Sequence, residues 1–218
     1  MDMNGLITTV NGQRFFIDNK DDVIESYLYY GRYCKEEMIK HILKNYNSGT
    51  FIDVGSCIGT HSIPFSLVAD TVYSFEPVKS LCFKQMANIT LNNIKNVTVV
   101  NCALGDVNLE HYIEPSNINI GTNPISKKGD NILVIKLDDF VIDNVKLIKI
   151  DVSGFELKVL KGAKRTILRN KPDIFIECSD NSKFLKVTRF LQRIGYKYSG
   201  LRFNSTPTYL FKEEQWKN

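Results

Sequence analysis

Four carboxylates stand at the ends of short apolar runs, where side chains of a folded sheet could reach a ligand. Asp53 and Glu76 follow FI and SF, whereas Asp151 and Glu177 follow LIKI and DIFI. Ligands of doubly wound sheets bind at the carboxyl ends of the strands, so we expect these acids to meet residues 101–103 at one crevice. An ionised carboxylate placed there can accept the hydrogen bonds of a ribose diol or take a proton from a reacting hydroxyl.

Two glycines, Gly55 and Gly59, frame the turn GSCIG after the first of these runs. A backbone without side chains can approach a ligand closely there, although an ordinary strand-to-helix turn also uses such glycines. Glu76 lies 23 residues after Asp53, a separation typical of a carboxylate that binds a ribose beyond a glycine turn. Hydride carriers favour GxGxxG instead, and Asp53 would repel an anionic pyrophosphate. The pattern therefore indicates an adenosine cofactor with a positive charge, such as S-adenosylmethionine.

The elements that must position these residues alternate along the chain. The segment LITTVNGQRFFID around Asn-Gly predicts an N-terminal β-hairpin, and apolar spacing predicts a helix from Lys35 to Tyr46. From Thr50 onward, short Val, Ile and Phe runs alternate with amphipathic segments, which is typical of an α/β domain with a parallel sheet flanked by helices. The ending YKYSGLRFNSTPTYLFK predicts two strands, one of them antiparallel to the sheet.

The individual segments of this pattern can be assigned from their composition. The predicted strands are TFIDVG, TVYSFEP, VTVVNCAL, NILVIKL, LIKIDV and DIFIEC. The predicted helices are HSIPFSLVA, KSLCFKQMANITLNN, FELKVLKGAKRTILRN and SKFLKVTRFLQRIG. The polar stretch from Pro115 to Asn131 is long enough to form a functional loop, and we expect it to contact the substrate together with the N-terminal segment.

Composition is typical of an ordinary globular protein. We expect one domain over residues 1–218, with a hairpin and helix extension over 1–48 and a cofactor-binding core over 49–218. A net charge of +4 without clustered Lys and Arg argues against a nucleic-acid partner. The five cysteines contain no CxxC pair, and the sequence predicts neither a signal peptide nor a membrane span. We therefore expect reduced thiols and a cytoplasmic protein, while the sequence leaves its oligomeric state open.

Six motifs occur in a fixed order along the chain. They are YGRYCKEEM, FIDVGSCIGTHS, SFEP, NCALGD, KLDDF and LIKIDVSGFELKVLKGA. Together they resemble the class I S-adenosylmethionine-dependent methyltransferases of the FkbM family, over roughly Tyr30 to Glu177. The last motif is the most specific, because it resembles the signature IKIDVEGxE followed by L and GA. The resemblance implies a Rossmann-like fold, with helices on both faces of a mostly parallel seven-stranded sheet that has an antiparallel C-terminal strand.

The resemblance also implies a role for each matched residue. The methionine end of S-adenosylmethionine would be cradled by Asp53, Gly55, Ser56, Gly59 and Thr60; the ribose would be held by Glu76 and Pro77; and the adenine would contact Cys102 and Ala103. Asp151 would lie near the reactive methyl and act as a catalytic residue together with Glu177. Two residues depart from the family pattern, since Cys57 replaces the usual Asn and Ser153 replaces the usual Glu of DVEG.

The function implied by the resemblance is methyl transfer to a hydroxyl of a small molecule or a glycan sugar. The protein then has to position the acceptor and remove its proton. The candidate bases are Asp151, Glu177, His61 and His111, of which we favour Asp151. Asp151 and Glu177 could also bind a divalent metal ion, although no spacing demands one.

Two alternative functions stay open. The missing carboxylate at Ser153 would suit a methyltransferase-fold protein that no longer catalyses and serves as a binding or assembly module. Methylation of RNA or protein would call for a basic groove lined by aromatic residues, and the sequence shows no such clustering.

Overall fold

The chain begins with a tight hairpin. In the computed structural model, which describes residues 6–114, 119–121, 125–126 and 128–214, strand β1 (Leu6–Val10) pairs antiparallel with β2 (Gln13–Ile17). Asn11 and Gly12 both have positive φ, 49° and 81°, as a two-residue hairpin turn of this kind requires. The hairpin predicted around the Asn-Gly pair is confirmed.

The remaining elements follow the alternation predicted from the sequence. They are α1 (Val23–Tyr29), α2 (Glu36–Asn45), β3 (Thr50–Val54), α3 (Ser62–Phe65), β4 (Thr71–Phe75), α4 (Lys79–Leu91), β5 (Val97–Val100), β6 (Ala103–Leu104), β7 (Leu109–Ile113), β8 (Ile125–Ser126), β9 (Asp130–Ile135), β10 (Val145–Ile150), α5 (Glu156–Gly162), α6 (Lys164–Asn170), β11 (Asp173–Glu177), α7 (Asn181–Gln192), β12 (Tyr196–Phe203) and β13 (Thr208–Glu213). The helix predicted from Lys35 to Tyr46 corresponds to α2.

The described residues form a main sheet of seven strands in the order β12-β13-β11-β10-β3-β4-β5. The five strands from β11 to β5 are parallel, whereas β13 is antiparallel to both β11 and β12. All five residues of β3 are buried, including Asp53, as expected for a strand covered on both faces of the sheet. The mostly parallel α/β sheet with an antiparallel strand near its C-terminal edge is therefore confirmed.

Helices cover both faces of this sheet. Successive strand residues point to opposite sides, so neighbouring residues of one strand contact different helices. On one face, Ile148 and Ile174 share a buried cluster with Val159 of α5 and Val187 of α7. On the other face, Leu147 belongs to a separate cluster with Met38 of α2 and Phe65 of α3.

The N-terminal hairpin packs against α4 through an asparagine side chain. The Asn88 Oδ1 accepts a hydrogen bond of 2.7 Å from the backbone N–H of Phe16 in β2. The Asn88 Nδ2 donates at 3.0 Å to the carbonyl oxygen of Ile58, within the glycine turn that follows β3. One buried side chain thus links the hairpin to that turn.

The prediction that NILVIKL joins the parallel sheet is wrong. Its strand, β9, lies in a second sheet of order β6-β9-β7-β8, where it pairs parallel with β6 and antiparallel with β7. Ile132 and Val134 are buried while Leu133 is exposed, so this strand is covered on one face alone. The segment VTVVNCAL is likewise divided between the two sheets, as β5 and β6.

Two predicted helices are shorter than expected. In HSIPFSLVA the helix α3 ends at Phe65, because Leu67 and Val68 form tighter backbone hydrogen bonds to residues three positions earlier. FELKVLKGAKRTILRN forms two helices that meet at Ala163, where the backbone φ and ψ of −107° and 3° are not helical.

The described ranges contain no helix with the length and apolar character needed to cross a membrane. Of the polar stretch 115–131, residues 115–118, 122–124 and 127 lie outside the described residues, and its end contributes to β8 and β9. All five cysteines are free thiols, and four of them are buried.

Candidate active site

A cavity of about 220 Å³ lies where strands β3, β4, β10 and β11 end. Most of the residues predicted for the site line it, namely Gly55, Thr60, Glu76, Pro77, Cys102, Ala103, Asp151 and Glu177. Asp53, Ser56 and Gly59 are not among the lining residues. The sequence therefore brings the strand-end carboxylates together as expected, except that Asp53 lies behind the cavity wall.

Gly55 brings the turn after β3 into direct contact with the end of β10. Its φ of 76° lies in the left-handed region, and a Cβ at this position would lie 2.0 Å from the carbonyl oxygen of Asp151. No side chain fits there. The glycine therefore sets how close the predicted cofactor turn lies to the predicted catalytic acid.

Lys149, which was not among the predicted site residues, stabilises this contact. Its Nζ donates to the Gly55 carbonyl oxygen at 2.9 Å and forms an ion pair with Asp53 Oδ1 at 2.9 Å. Burial alone would lower the pKa of Lys149, but the carboxylates of Asp53 and Asp151 outweigh it and raise the pKa. A lysine within the apolar run LIKI is the sequence signal that could have revealed this buried pair.

Asp53 itself is fully buried and supports the turn from behind. Its Oδ2 accepts a hydrogen bond of 2.6 Å from Ser62 Oγ at the start of α3, while its Oδ1 pairs with Lys149. Together these contacts link the end of β3 to β10 and to the start of α3, the two elements next to the glycine turn. In this geometry Asp53 positions the glycine turn and does not itself line the cavity.

A buried polar network fixes the other side of the same turn. Ser56 Oγ donates to Gln85 Oε1 at 2.9 Å, and the Gln85 amide donates to Ser74 Oγ. A Cβ on Gly59 would lie 3.0 Å from the Gln85 side chain, so the turn passes closely over α4. Gln85 could not be predicted, since a glutamine in a helix carries no distinguishing sequence pattern.

Glu76 lines the cavity at the end of β4 and is held by backbone donors. Its two carboxylate oxygens accept hydrogen bonds of 2.9 Å from the N–H groups of Cys57 and Val78. Burial raises the pKa of Glu76 to about 7, although these two hydrogen bonds oppose the shift. The Asn101 side chain donates to the Glu76 and Pro77 carbonyl oxygens at 2.9 Å, which steadies the strand end.

Cys57 adopts a left-handed backbone conformation with a φ of 53°. Asn tolerates this conformation better than other residues with a side chain, so Cys57 is an unusual residue at this backbone position. The Cys57 side chain is buried and lines the cavity, and burial raises the pKa of its thiol well above the usual value. The thiol is therefore protonated at neutral pH.

Lys35 joins the two acids at the far end of the cavity. Its Nζ lies 3.0 Å from Asp151 Oδ2 and also contacts Glu177 Oε2. Burial would raise the pKa of Asp151, but the ammonium groups of Lys35 and Lys149 outweigh it and hold the pKa at about 2. Lys35 could not be predicted, because a lysine before a helix in the charged segment CKEEM is typical of a solvated surface residue.

The described residues contain no group of three or more His, Cys, Asp or Glu side chains that could hold a metal ion. The pair of acids predicted as possible ligands, Asp151 and Glu177, has the Lys35 ammonium between them. In this structure the two carboxylates are paired with the Lys35 ammonium.

The two candidate histidines differ in position. His61 lines the cavity, is 5% exposed, and has a buried Nε2 with no hydrogen-bond partner in the described part of the chain. Burial and, next, the Lys149 ammonium lower the pKa of His61 well below its usual value, so the imidazole is neutral. His111, on β7, does not line the cavity.

Residues of the N-terminal segment and residues 119–121 also line the cavity. Asp22 accepts hydrogen bonds of 2.8 Å from Ile24 N–H, at the start of α1, and of 2.7 Å from Ile120 N–H. Ile24, Ile113 and Ile120 all line the cavity. This wall is apolar, in contrast to the charged end around Lys35.

Comparison with known families matches residues 53–198 to the methyltransferase FkbM domain. Among solved structures, the chain is similar to methyltransferase FkbM from Methylobacillus flagellatus KT, with a TM-score of 0.59 and 23% identity over 76% of this chain and 43% of that chain. It is also similar to Trm5b from Pyrococcus abyssi, with a TM-score of 0.60 and 13% identity over 99% of this chain and 57% of that chain.

A third similar structure is TYW2 from M. jannaschii in complex with AdoMet, with a TM-score of 0.57 and 15% identity over 98% of this chain and 88% of that chain. The chain spans less than two thirds of the Methylobacillus and Pyrococcus proteins. No curated protein matches it. At these identities the similar structures establish the fold, which is that of Rossmann-like methyltransferases.

The family match covers about two thirds of the chain and includes the glycine turn, Glu76, Asp151 and Glu177. These are the residues that the fold brings together around one cavity. The chain therefore belongs to the FkbM methyltransferase family.

Proposed function

We propose that the protein is an S-adenosylmethionine-dependent O-methyltransferase that acts on a hydroxyl of a small molecule or sugar. The observation that carries the proposal is the order of groups along one cavity. In the strand order of the sheet, Cys102 and Ala103 follow β5, Glu76 follows β4, Gly55 follows β3, Asp151 follows β10 and Glu177 ends β11. This order matches adenine, ribose, methionine and acceptor.

The residues present fit the proposed methyl donor. Glu76 offers a carboxylate for the ribose hydroxyls, and the buried sides of Cys102 and Ala103 offer an apolar surface for adenine. The acids of the cavity complement the positive charges of the sulfonium and the amino group. When bound, S-adenosylmethionine supplies an electrophilic methyl group, and its sulfonium becomes a thioether when the methyl is transferred.

The chain's own residues have to orient the acceptor and take its proton. Asp151 is held ionised by two ammonium groups with a pKa of about 2, and its Oδ2 is already paired with Lys35 at 3.0 Å. His61 is neutral, lines the same cavity and interacts electrostatically with Asp151. We propose that His61 takes the hydroxyl proton and that Asp151 acts by stabilising the resulting imidazolium. This catalytic role for Asp151 differs from the one the sequence favoured.

We propose that Asp151, at the end of β10, lies between the donor's methionine end and the acceptor, and that Glu177, at the end of the neighbouring β11, acts on the acceptor side of it. Glu177 lines the cavity at the end of β11 and shares the Lys35 ammonium with Asp151. Ile24, Ile113 and Ile120 line the same cavity, which supports an acceptor that presents an apolar surface beside its hydroxyl.

The test has two steps. Calorimetry with S-adenosylmethionine should detect binding, and no binding at millimolar concentration would overturn the proposal. Formation of S-adenosylhomocysteine is then measured with an array of sugars and small hydroxyl compounds, with RNA and protein as separate arms. Turnover with a hydroxyl compound supports the proposal, whereas turnover with RNA or protein alone would replace its substrate class.

A non-catalytic binding module is the second candidate. It is favoured by Ser153, which lines the cavity where the family usually has a carboxylate. Donor binding without turnover in every arm would support this candidate, and Ser153→Glu should then be examined for restored transfer.

A further inference from the structure

We infer that Lys35 binds the α-carboxylate of the methyl donor. The inference rests on the proposed function and deepens it by assigning the amino-acid end of the donor to a residue outside the matched stretch 53–198. Lys35 precedes α2, in the N-terminal segment.

The position of Lys35 follows from the two sides of the glycine turn. On one side, the N–H of Cys57 holds Glu76, the proposed ribose ligand. On the other side, Gly55 is pressed against the carbonyl oxygen of Asp151, whose carboxylate lies 3.0 Å from Lys35 Nζ. A donor that contacts Glu76 with its ribose and crosses this turn therefore brings its amino-acid end to Lys35 and Asp151.

The charges of the cavity support the same assignment. Among the described residues that line it, the carboxylates are Glu76, Asp151 and Glu177, and Lys35 is the side chain with a full positive charge, since His61 is neutral. The amino-acid end of the donor carries an ammonium and a carboxylate. Asp151 matches the ammonium, which leaves Lys35 to match the carboxylate through a charge-assisted hydrogen bond.

The surrounding structure fixes the position of Lys35. Its side chain is 8% exposed, and its carbonyl oxygen accepts a hydrogen bond of 3.2 Å from Ile39 N–H in α2. Lys35 is joined directly to α2, which is anchored by the buried side chains of Met38 and Ile42, so a packed helix fixes its backbone. A buried ammonium has to keep an ionic partner, and Glu177 can stay paired with it while the donor approaches.

The experiment compares two ligands that differ at the amino-acid end. S-Adenosylhomocysteine carries this end, and 5′-methylthioadenosine lacks it while keeping adenine, ribose and sulfur. Calorimetry should show that Lys35→Met weakens S-adenosylhomocysteine binding by about 10- to 100-fold, the loss expected for one charge-assisted hydrogen bond. The affinity for 5′-methylthioadenosine should change by less than about threefold, within the spread of a substitution that leaves that ligand's contacts intact.

Two controls accompany this variant. Lys40→Met removes a lysine from the exposed side of the same helix and should leave both affinities unchanged. Lys35→Arg keeps the charge and should retain most of the preference for S-adenosylhomocysteine. If Lys35→Met fails to fold, Lys35→Gln, which keeps a hydrogen-bond donor for the two acids, repeats the comparison.

The outcomes separate this inference from the proposed function. If the unmodified protein binds neither ligand, the donor assignment fails and the inference fails with it. If it binds both and the Lys35 variants lower both affinities equally, or neither, the donor assignment stands and the role of Lys35 is overturned.

Discussion

The Lys149 ammonium donates a hydrogen bond of 2.9 Å to the carbonyl oxygen of Gly55 and thereby joins β10 to the turn after β3. The same ammonium pairs with Asp53, and both side chains are completely or almost completely buried. Because the strand and the turn carry different parts of the proposed site, this contact fixes their relative position.

Lys149→Met should destabilise the fold strongly, because it leaves the Asp53 carboxylate buried without its ionic partner. We expect a loss of about 3–5 kcal/mol in the free energy of unfolding, measured by urea denaturation. Lys146→Met, at an exposed position of the same strand, should change it by less than about 0.5 kcal/mol. Combining Lys149→Met with Asp53→Asn should cost less than the sum of the two single changes, and strict additivity would contradict the pairing.

Donor affinity should depend on pH through Glu76. Burial raises the pKa of this carboxylate to about 7, and ribose hydroxyls donate to its ionised form. Below pH 7 the Glu76 carboxyl of the free protein is protonated and must lose its proton before the donor binds. The affinity for S-adenosylhomocysteine should therefore fall as the pH is lowered, by a factor that approaches about tenfold per pH unit. Above pH 8 it should level off.

The matched variant for this titration is Glu76→Gln. It should bind more weakly at pH 8 and show no change in affinity between pH 5.5 and pH 8. A pH dependence that persists unchanged in the variant would assign the proton to another group.

Cys57→Asn should stabilise the protein. Cys57 has a φ of 53°, and Asn enters this left-handed region at a lower energetic cost than other residues that carry a Cβ. The expected gain in the free energy of unfolding is roughly 0.5–1 kcal/mol, measured by thermal or urea denaturation. Cys57→Ala serves as the control, because it removes the thiol without easing the backbone, and an equal gain there would show that the thiol causes the strain.

His61→Gln should lower turnover with a hydroxyl acceptor by about 10²-fold or more, while donor affinity changes little, because the residue is proposed to take the acceptor proton. Burial keeps the pKa of His61 well below its usual value, so turnover should be lost only as the pH falls well below 6.5. In the variant this acid limb should disappear. A loss of donor affinity with unchanged turnover would instead place His61 at the donor.

Much of the site could be predicted because local sequence specified it. Glu76 ends an apolar run at a set distance from the glycine turn, and the α/β alternation brings the ends of such runs to one edge of the sheet. Gly55 was predicted for the same reason, and its contact with Asp151 adds why no side chain is tolerated.

The other features of the site and fold could not be predicted, because they depend on contacts between segments that are distant in the sequence, and local patterns do not contain these contacts. Lys35 meets Glu177, 142 residues away, and nothing near either residue indicates this partner. The error at β9 has a similar origin, because a run such as NILVI is equally apolar whether one or both of its faces are covered. Asp53 was assigned to the cavity because its place at a strand end does not reveal on which side of the backbone it points.

The two hydrogen bonds of Asn88 bear on where the functional unit begins. The matched family stretch starts at Asp53, yet the amide that supports the glycine turn is itself held by the backbone of the N-terminal hairpin. A fragment that starts at Asp53 would keep the residues proposed to contact the ribose and the adenine. It would lose Lys35 and the hairpin backbone that holds the Asn88 side chain. If the proposed function holds, the smallest unit that binds the donor should therefore include the N-terminal hairpin as well as the matched stretch.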